Sequence, residues 1–307
     1  MSAERSGRAS AGGDLIGIDL GGTAIKAGRI RADGSNPEPK RSVADVHDGP
    51  EAVCERIVEL AHALGFDGSL GIGVPGLVDR QRGLVTHSPN LAPMQGFPVR
   101  DHLAAKLGVL PEAIRMENDA NVAALGEFWI GAARGHANVL LATLGTGIGG
   151  GLILNGELFL GGTGLAAEVG HLTVRPDGPR CGCGNLGCLE ALASATAAER
   201  RAREAGLTDD LAALSGEART ADGPARELLR EIGRDLGRGL APALMLLDLD
   251  CFLIGGGFSA AFDLLRPGIL DGLLERSYGR RREDLNVRAA ELGGDAGWIG
   301  AARLGAI

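Results

Sequence analysis

Lysine is almost missing from this 307-residue chain: Lys26, Lys40 and Lys106 are the whole set. Any phosphate site that relies on lysine has few candidates. No Gly-Lys dipeptide occurs, which excludes the Walker loop with its Gly-Lys-Ser/Thr run. Aromatic residues make up 3%, with a single tyrosine, Tyr278, so stacking platforms for bases or sugar faces are not expected. There is no run of about 18 apolar residues, and therefore no expected membrane helix. The opening segment MSAERSGRASAGGD lacks the apolar stretch of a signal peptide and reads as a disordered tail over residues 1–13. A net charge of −8 and a pI near 5.3 argue against a nucleic-acid partner. Cysteine is sparse and odd in number, at five. Cys54 and Cys251 lie in apolar contexts and read as buried free thiols, which suits a reducing cytoplasm.

What is present is an ordinary globular composition, 45% hydrophobic and 23% charged, with an unusual 51 glycines. The glycines cluster beside apolar runs, as they do where backbones approach closely. The length allows two domains or one large one.

The pattern alternates strands and helices. Leu15–Asp19 is an apolar run ending in an acid. Gly21, Gly22 and Thr23 follow, then a second run, Ile25–Ile30; together they read as a hairpin with a glycine turn. A helix is expected over Glu51–Leu64, strands over Leu70–Val74 and Ala113–Glu117, and a helix over Ala120–Ala132. The hairpin theme then recurs: a strand at Val139–Leu144, a glycine turn at Gly145–Gly151, and a returning strand at Leu152–Leu154. Helices are expected over Ala191–Ala205 and Ala225–Met245, although Gly237, Gly239 and Pro242 interrupt the second. Leu249–Ile254 reads as a strand ending in Gly255, Gly256 and Gly257. Ser259–Arg276 and Ala296–Leu304 read as helices. Two strand–glycine turn–strand units suggest a duplicated α/β architecture with a cleft between lobes.

Gly145-Thr-Gly147-Ile-Gly149-Gly150 and Gly71-Ile-Gly73-Val-Pro-Gly76 match a dinucleotide fingerprint by letters. That fingerprint needs a helix directly after the turn. A strand follows Gly150, and no helix fits after Gly76, so neither is read as a dinucleotide site. A hairpin turn of Gly and Thr can still cradle phosphate through successive backbone N–H groups, with Thr23 and Thr146 adding hydroxyls. Asp19, beside the first turn, could hold Mg²⁺ through water.

The segment from Glu168 to Glu190, EVGHLTVRPDGPRCGCGNLGCLE, concentrates metal-binding chemistry. His171, Cys181, Cys183 and Cys188 supply the four ligands of a closed, structural zinc site. The alternatives are free thiols or one disulfide, and a single residue between Cys181 and Cys183 would strain a bond between those two. Glu168 and Glu190 bracket the cluster. Asp119 follows an expected strand and opens an expected helix. A carboxylate there either takes a proton from an acceptor hydroxyl or caps the helix.

Ile16–Lys26 (IGIDLGGTAIK) looks like the first phosphate motif of the superfamily of sugar kinases, chaperone ATPases and actin. Leu144–Gly151 (LGTGIGGG) looks like its second, and Ile254–Gly257 (IGGG) like its adenosine segment. With Gly73–Gly76 (GVPG), Glu117–Asn121 (ENDAN) and the Glu168–Glu190 segment, the chain resembles the ROK family of repressors, open reading frames and kinases, and within it the bacterial glucokinases. The resemblance covers residues 14 to 307. It implies a two-lobed α/β fold of the actin-like ATPase (ribonuclease H-like) type with a zinc-binding loop. The N-terminal lobe would span 14–118, with 293–307 returning to it, and the C-terminal lobe 119–292.

The resemblance further implies phosphoryl transfer from ATP, with Mg²⁺, to the 6-hydroxyl of glucose, with Asp119 as base. Asn90, Asn118, Asp119, Glu168, His171 and Glu190 would surround the sugar. Asp19, Gly21, Gly22, Thr23, Lys26, Gly145, Thr146, Gly147, Gly256 and Gly257 would serve the nucleotide. His171 would join the two chemistries, one ring nitrogen on zinc and the other on a sugar hydroxyl. Asn90 has an alternative as an ordinary turn residue. Other hexoses (mannose, fructose), N-acetylglucosamine, N-acetylmannosamine or a polyphosphate donor remain open as substrates. A sugar-sensing repressor is the non-enzymatic alternative, disfavoured by the short segment before the first strand. A homodimer or dimer of dimers is implied. His47, His62, His87, His102 and His136 read as structural or surface residues, Trp129 as a core or subunit contact, and AERRARE (Ala198–Glu204) as a solvated helix face.

Overall fold

The computed structural model describes residues 13–43 and 46–307; the expected tail over 1–13 falls almost wholly outside the described residues. In chain order the elements are β1 (Asp14–Leu20), β2 (Ala24–Arg31), β3 (Glu38–Val43), α1 (Pro50–Ala63), β4 (Leu70–Val74), β5 (Leu77–Asp79), β6 (Leu84–His87), α2 (Val99–Leu107), β7 (Ile114–Asn118) and α3 (Asp119–Ile130). They continue with β8 (Val139–Leu144), β9 (Ile148–Leu154), β10 (Glu157–Leu158), α4 (Leu189–Ala193), α5 (Ala195–Glu204), α6 (Leu211–Thr220), α7 (Pro224–Leu247), β11 (Cys251–Gly255), α8 (Phe262–Arg276), β12 (Val287–Ala289) and α9 (Ala296–Gly305).

The chain divides into two compact units. Among the described residues, one runs up to Ile130 and resumes over Asp295–Ile307, and the other spans Gly131–Gly294. The division falls after α3 rather than before it, and the return begins at 295 rather than 293. The reason is packing: α3 lies against α9, with Gly126 close to Ala296 and Gly300 close to Val122. Opening at Asp119, α3 belongs with the sheet that launches it.

Each unit contains one five-stranded sheet of the same plan, β3-β2-β1-β4-β7 in the first and β10-β9-β8-β11-β12 in the second. In both, three antiparallel strands are followed by two parallel ones. The returning strand of the second hairpin starts at Ile148, inside the glycine run, because Ile148 and Gly149–Gly151 pair with Leu144–Leu141. Each unit has its own apolar core. The first is built on Ile18, Leu20, Ile57, Leu70 and Ile72, the second on Leu140, Leu189, Ile232, Leu236 and Phe252.

Helix α7 runs unbroken through Gly237, Gly239 and Pro242. Its glycines serve a close crossing: a Cβ on Gly237 would sit 2.9 Å from the Ile269 carbonyl carbon of α8, and one on Gly272 of α8 would sit 3.0 Å from the Arg234 carbonyl carbon. The expected helix over Ala191–Ala205 is instead two, broken at Ser194, whose buried hydroxyl caps α5 by accepting from the Ala197 N–H at 3.1 Å. The short or polar elements β3, β5, β6, β10, β12, α2 and α6 carry too weak a periodicity to read from sequence. Cys54 and Cys251 are fully buried free thiols, as expected, and burial pushes them up to about 12 and about 11.

Helix α9 lies on the first sheet through glycines on both partners. A Cβ on Gly71 would fall 2.6 Å from the Ala301 carbonyl carbon and 2.9 Å from the Gly305 nitrogen. These are backbone atoms that cannot step aside. Gly71→Ala is therefore expected to cost about 1–3 kcal/mol or more, read as a lower urea midpoint at unchanged slope.

Candidate active site and metal loop

In the first unit the candidate residues collect at the ends of β1, β4 and β7. Glu117, the penultimate residue of β7, is buried at 1% exposure. Its carboxylate takes both Arg80 donors, Nε and Nη2, and accepts from the Asn118 backbone N–H at 2.7 Å and from Asn121 Nδ2 at 3.0 Å. Asn118 then caps α3: its Oδ1 accepts from the N–H groups of Ala120 (2.9 Å) and Asn121 (3.2 Å), while its Nδ2 donates to the Gly76 carbonyl at 3.0 Å. Gly76 has φ of +103°, and a side chain there would meet Ser88, so glycine is required for that carbonyl to face Asn118.

The helix cap is thus Asn118, and Asp119 is released from that duty. Asp119 Oδ1 accepts the adjacent Ala120 N–H, at 2.9 Å. Burial and then the nearby Asp19 carboxylate push the Asp119 acid up to about 6. Asp19 is raised as well, by desolvation, with Lys26 pulling it down. Lys26 pairs with Asp19 across the β1–β2 ladder, so the two side chains leave the same face of the sheet. Gly297, in the first turn of α9, makes room for Asp19: a Cβ there would lie 2.7 Å from the carboxylate. Gly21 closes the first glycine turn by donating to the Ala24 carbonyl at 2.9 Å, and Thr23 at its tip is exposed. Asn90 follows the β5–β6 hairpin. Its backbone carbonyl runs beside Gly22, and Ser88, rather than Asn90, closes the turn by accepting from the Leu91 N–H at 3.2 Å. The Asn90 side chain is exposed.

In the second unit, Gly145, Thr146 and Gly147 form the β8–β9 turn, with the Gly145 N–H on the Gly147 carbonyl at 3.0 Å. Gly256, at φ +81°, leaves no room for a side chain against the Leu144 backbone, so the IGGG segment and this turn are neighbours, and the space beside Gly257 is open. Glu190 binds the same turn: its Oε2 accepts from the Ile148 N–H at 3.1 Å, and its Oε1 lies 3.5 Å from Cys181 Sγ.

The ligand atoms of His171, Cys181, Cys183 and Cys188 all lie within 4.8 Å of one another. His171 Nδ1 is 3.7 Å from Cys181 Sγ, and Cys183 Sγ is 3.6 Å from Cys188 Sγ. Zinc–sulfur bonds of about 2.3 Å at tetrahedral angles separate ligands by roughly 3.7 Å, so this donor set fits zinc. A small hairpin shapes the loop: Cys181 N–H donates to the Asn185 carbonyl at 2.8 Å, and Leu189 N–H to the Leu172 carbonyl at 2.9 Å. Nδ1 is the nitrogen facing the thiols. Glu168 is raised by desolvation, with His171 lowering it and Glu190 raising it further, which groups these three side chains.

The sequence profile of the ROK family matches residues 15–306. The chain is 38% identical to the glucokinase of Thermotoga maritima over 313 aligned positions, covering 94% of this chain and 96% of that one. The chain belongs to the ROK family. Among solved structures, the ROK hexokinase of Thermus thermophilus matches with a TM-score of 0.81 at 35% identity, over 95% of this chain and 97% of that one. A ROK family glucokinase from Streptomyces griseus, solved in complex with glucose and AMPPNP, matches with a TM-score of 0.77 at 35% identity, over 95% and 99%. The fold is that of ROK sugar kinases, with the α/β content described above.

In this ROK protein Arg80 is the residue sequence reasoning missed. It sits between β5 and β6, 37 positions from its partner Glu117, and nothing in its local pattern announces the pairing. The AERRARE run is not wholly a solvated face. Arg200 does pair with Glu204 at 2.8 Å, but Arg201 turns inward at 13% side-chain exposure to meet Asp235 of α7. Trp129 is half-buried beneath the Arg303 guanidinium, 5.6 Å from its ring centre.

Because the folded-state acid of Asp119 titrates near 6, above its ordinary 3.8, ionising it opposes folding. Its stabilising contribution is complete below 3.8 and is lost as pH rises through 6. Asp119→Asn, which never ionises, is expected to melt higher than the wild type at pH 7.5. The gap should close as pH approaches 4, as followed by calorimetry across pH.

Proposed function

We propose that the protein phosphorylates glucose at its 6-hydroxyl with ATP, giving glucose 6-phosphate and ADP, with Asp119 as general base. The observation that carries this reading is the state of Asp119: held at the mouth of α3, freed from capping by Asn118, and raised to about 6. A base with an acid constant near working pH is both ionised enough to accept a proton and basic enough to keep it. The relatives support the substrate and the donor: glucokinases align along nearly the whole chain, and one of them holds glucose and AMPPNP. The repeated sheet plan supports the actin-like ATPase (ribonuclease H-like) reading of the fold.

On this reading the sugar hydroxyl gives its proton to Asp119 as its oxygen bonds to the γ-phosphorus, and the bond from that phosphorus to the bridging oxygen of ADP breaks. Asn118, Asn90, Glu168, Glu190 and the outer nitrogen of His171 hold the other hydroxyls. The glycine turns at Gly21–Thr23 and Gly145–Gly147 give backbone N–H groups to phosphate, with Gly256 and Gly257 beside the adenosine. Asp19 would hold magnesium, which would supply positive charge to the phosphates. Lys26 balances Asp19. His171, Cys181, Cys183 and Cys188 would hold zinc in a structural role, since four protein ligands would leave no position for water.

Asp119→Ala is expected to cut kcat by roughly 10²–10⁴ with the protein still folded. Near-normal turnover would refute the assignment. Wild-type kcat should fall as pH drops through about 6, as the base becomes protonated. ADP release over glucose, mannose, fructose, N-acetylglucosamine and N-acetylmannosamine should be fastest with glucose; faster turnover of an N-acetyl sugar would overturn the choice. Metal analysis should find about one zinc per chain.

A further inference from the structure

Asp235 lies in the middle of α7 and is fully buried. Three arginines converge on it. Arg175 donates through Nε at 3.2 Å and through Nη2 at 2.6 and 2.7 Å; Arg201 donates through Nη1 at 3.0 Å; Arg238 contributes Nη1 at 3.4 Å. A carboxylate removed from water so completely is costly unless surrounded by donors, and this one is.

What the arginines do with their other atoms gives the cluster a direction. Arg175 belongs to the metal loop, between His171 and Cys181. Its backbone N–H and that of Val174 both donate to the Gly187 carbonyl, at 3.3 and 2.8 Å, and its own carbonyl accepts from the Gly178 N–H at 2.9 Å. Gly187 has φ of +63° and immediately precedes Cys188. The Arg175 backbone therefore stitches the two sides of the metal loop together, while its side chain bolts them to α7. Arg201 Nη1 also donates to the Leu192 carbonyl at 3.0 Å, and Arg200 Nη2 to that of Ala191 at 3.0 Å. These are last-turn carbonyls of α4, which have no partner within the helix. That helix carries Glu190.

We infer that Asp235 is a positioning residue: by holding Arg175 and Arg201 at once it sets the metal loop with His171 against the helix that carries Glu190. With both arginines held, the four ligand atoms lie within 4.8 Å of one another, and loosening this support is expected to loosen the hold on a metal. The sugar-binding part of the inference rests on the glucokinase reading above; the metal part does not.

The test uses the zinc-loaded full chain. Arg175→Met cuts the loop from α7 yet leaves Asp235 with Arg201 and Arg238, so no buried charge is orphaned. Zinc transfer to a chromogenic chelator is expected to be roughly tenfold faster or more, the range seen when groups supporting metal ligands are lost. KM for glucose should rise, while KM for ATP stays within about twofold. Asp235→Asn should act in the same direction. If the cluster serves stability alone, both variants will melt lower but keep wild-type zinc release and glucose KM, and that result overturns the inference. Glu190→Gln separates the two readings. Should it raise glucose KM while Arg175→Met does not, the positioning role falls. Should neither raise KM while zinc release quickens, the clamp on the metal loop stands and the assignment of Glu190 to the sugar falls.

Discussion

Taking a carboxylate out of water costs several kcal/mol unless donors replace the lost hydration. In each unit such a group lies beneath the candidate chemistry. In the first unit Glu117, at 1% exposure, is satisfied by Arg80, the Asn118 backbone and the Asn121 amide. In the second, Asp235, at 0%, is satisfied by Arg175, Arg201 and Arg238. A buried charge tolerates few arrangements of its donors. Each donor brings an attached segment with it: the β5–β6 hairpin and the turn into α3 in one case, the metal loop and α4 in the other. Neither carboxylate is itself proposed to touch substrate. Their effect is to leave Asp119 and Glu190 with little freedom.

Glycine supplies the complementary condition, close approach of backbones. The crossings of α9 on the first sheet and of α7 on α8 bring helix backbones to distances a Cβ would forbid. The same residue type forms the two hairpin turns, where absent side chains expose successive N–H groups. With few lysines to hold phosphate, the phosphate contacts proposed above fall to backbone dipoles instead.

Much of this was legible. The two apolar–glycine–apolar units predicted the two hairpins because strand periodicity and turn chemistry are local. The grouping of His171, Cys181, Cys183 and Cys188 was legible because the three cysteines fall within eight positions and the histidine lies ten before the first of them. The partners of buried charges were not. Arg80 looks like any polar residue of a turn, and Arg201 sits in a charged run that reads as solvated. Only the chain path over separations of 37 and 34 positions brings them to Glu117 and Asp235. The break at Ser194 is not legible because an alanine-rich stretch continues helical on both sides, and only the buried hydroxyl reveals the cap.

By itself the sequence determined the chemistry available: thiols and an imidazole for a metal, carboxylates and amides for hydroxyls, glycine turns for phosphate. These follow from residue type and short spacing, which do not depend on how the chain folds back. The tertiary structure decided how each group is used. It made Asn118 rather than Asp119 the helix cap, and it raised Asp119 to about 6 by burying it near Asp19. It also placed Lys26 opposite Asp19 and turned Arg201 inward. The reason is that desolvation and charge proximity are properties of three-dimensional neighbourhood, and a neighbourhood is assembled from residues far apart in the chain.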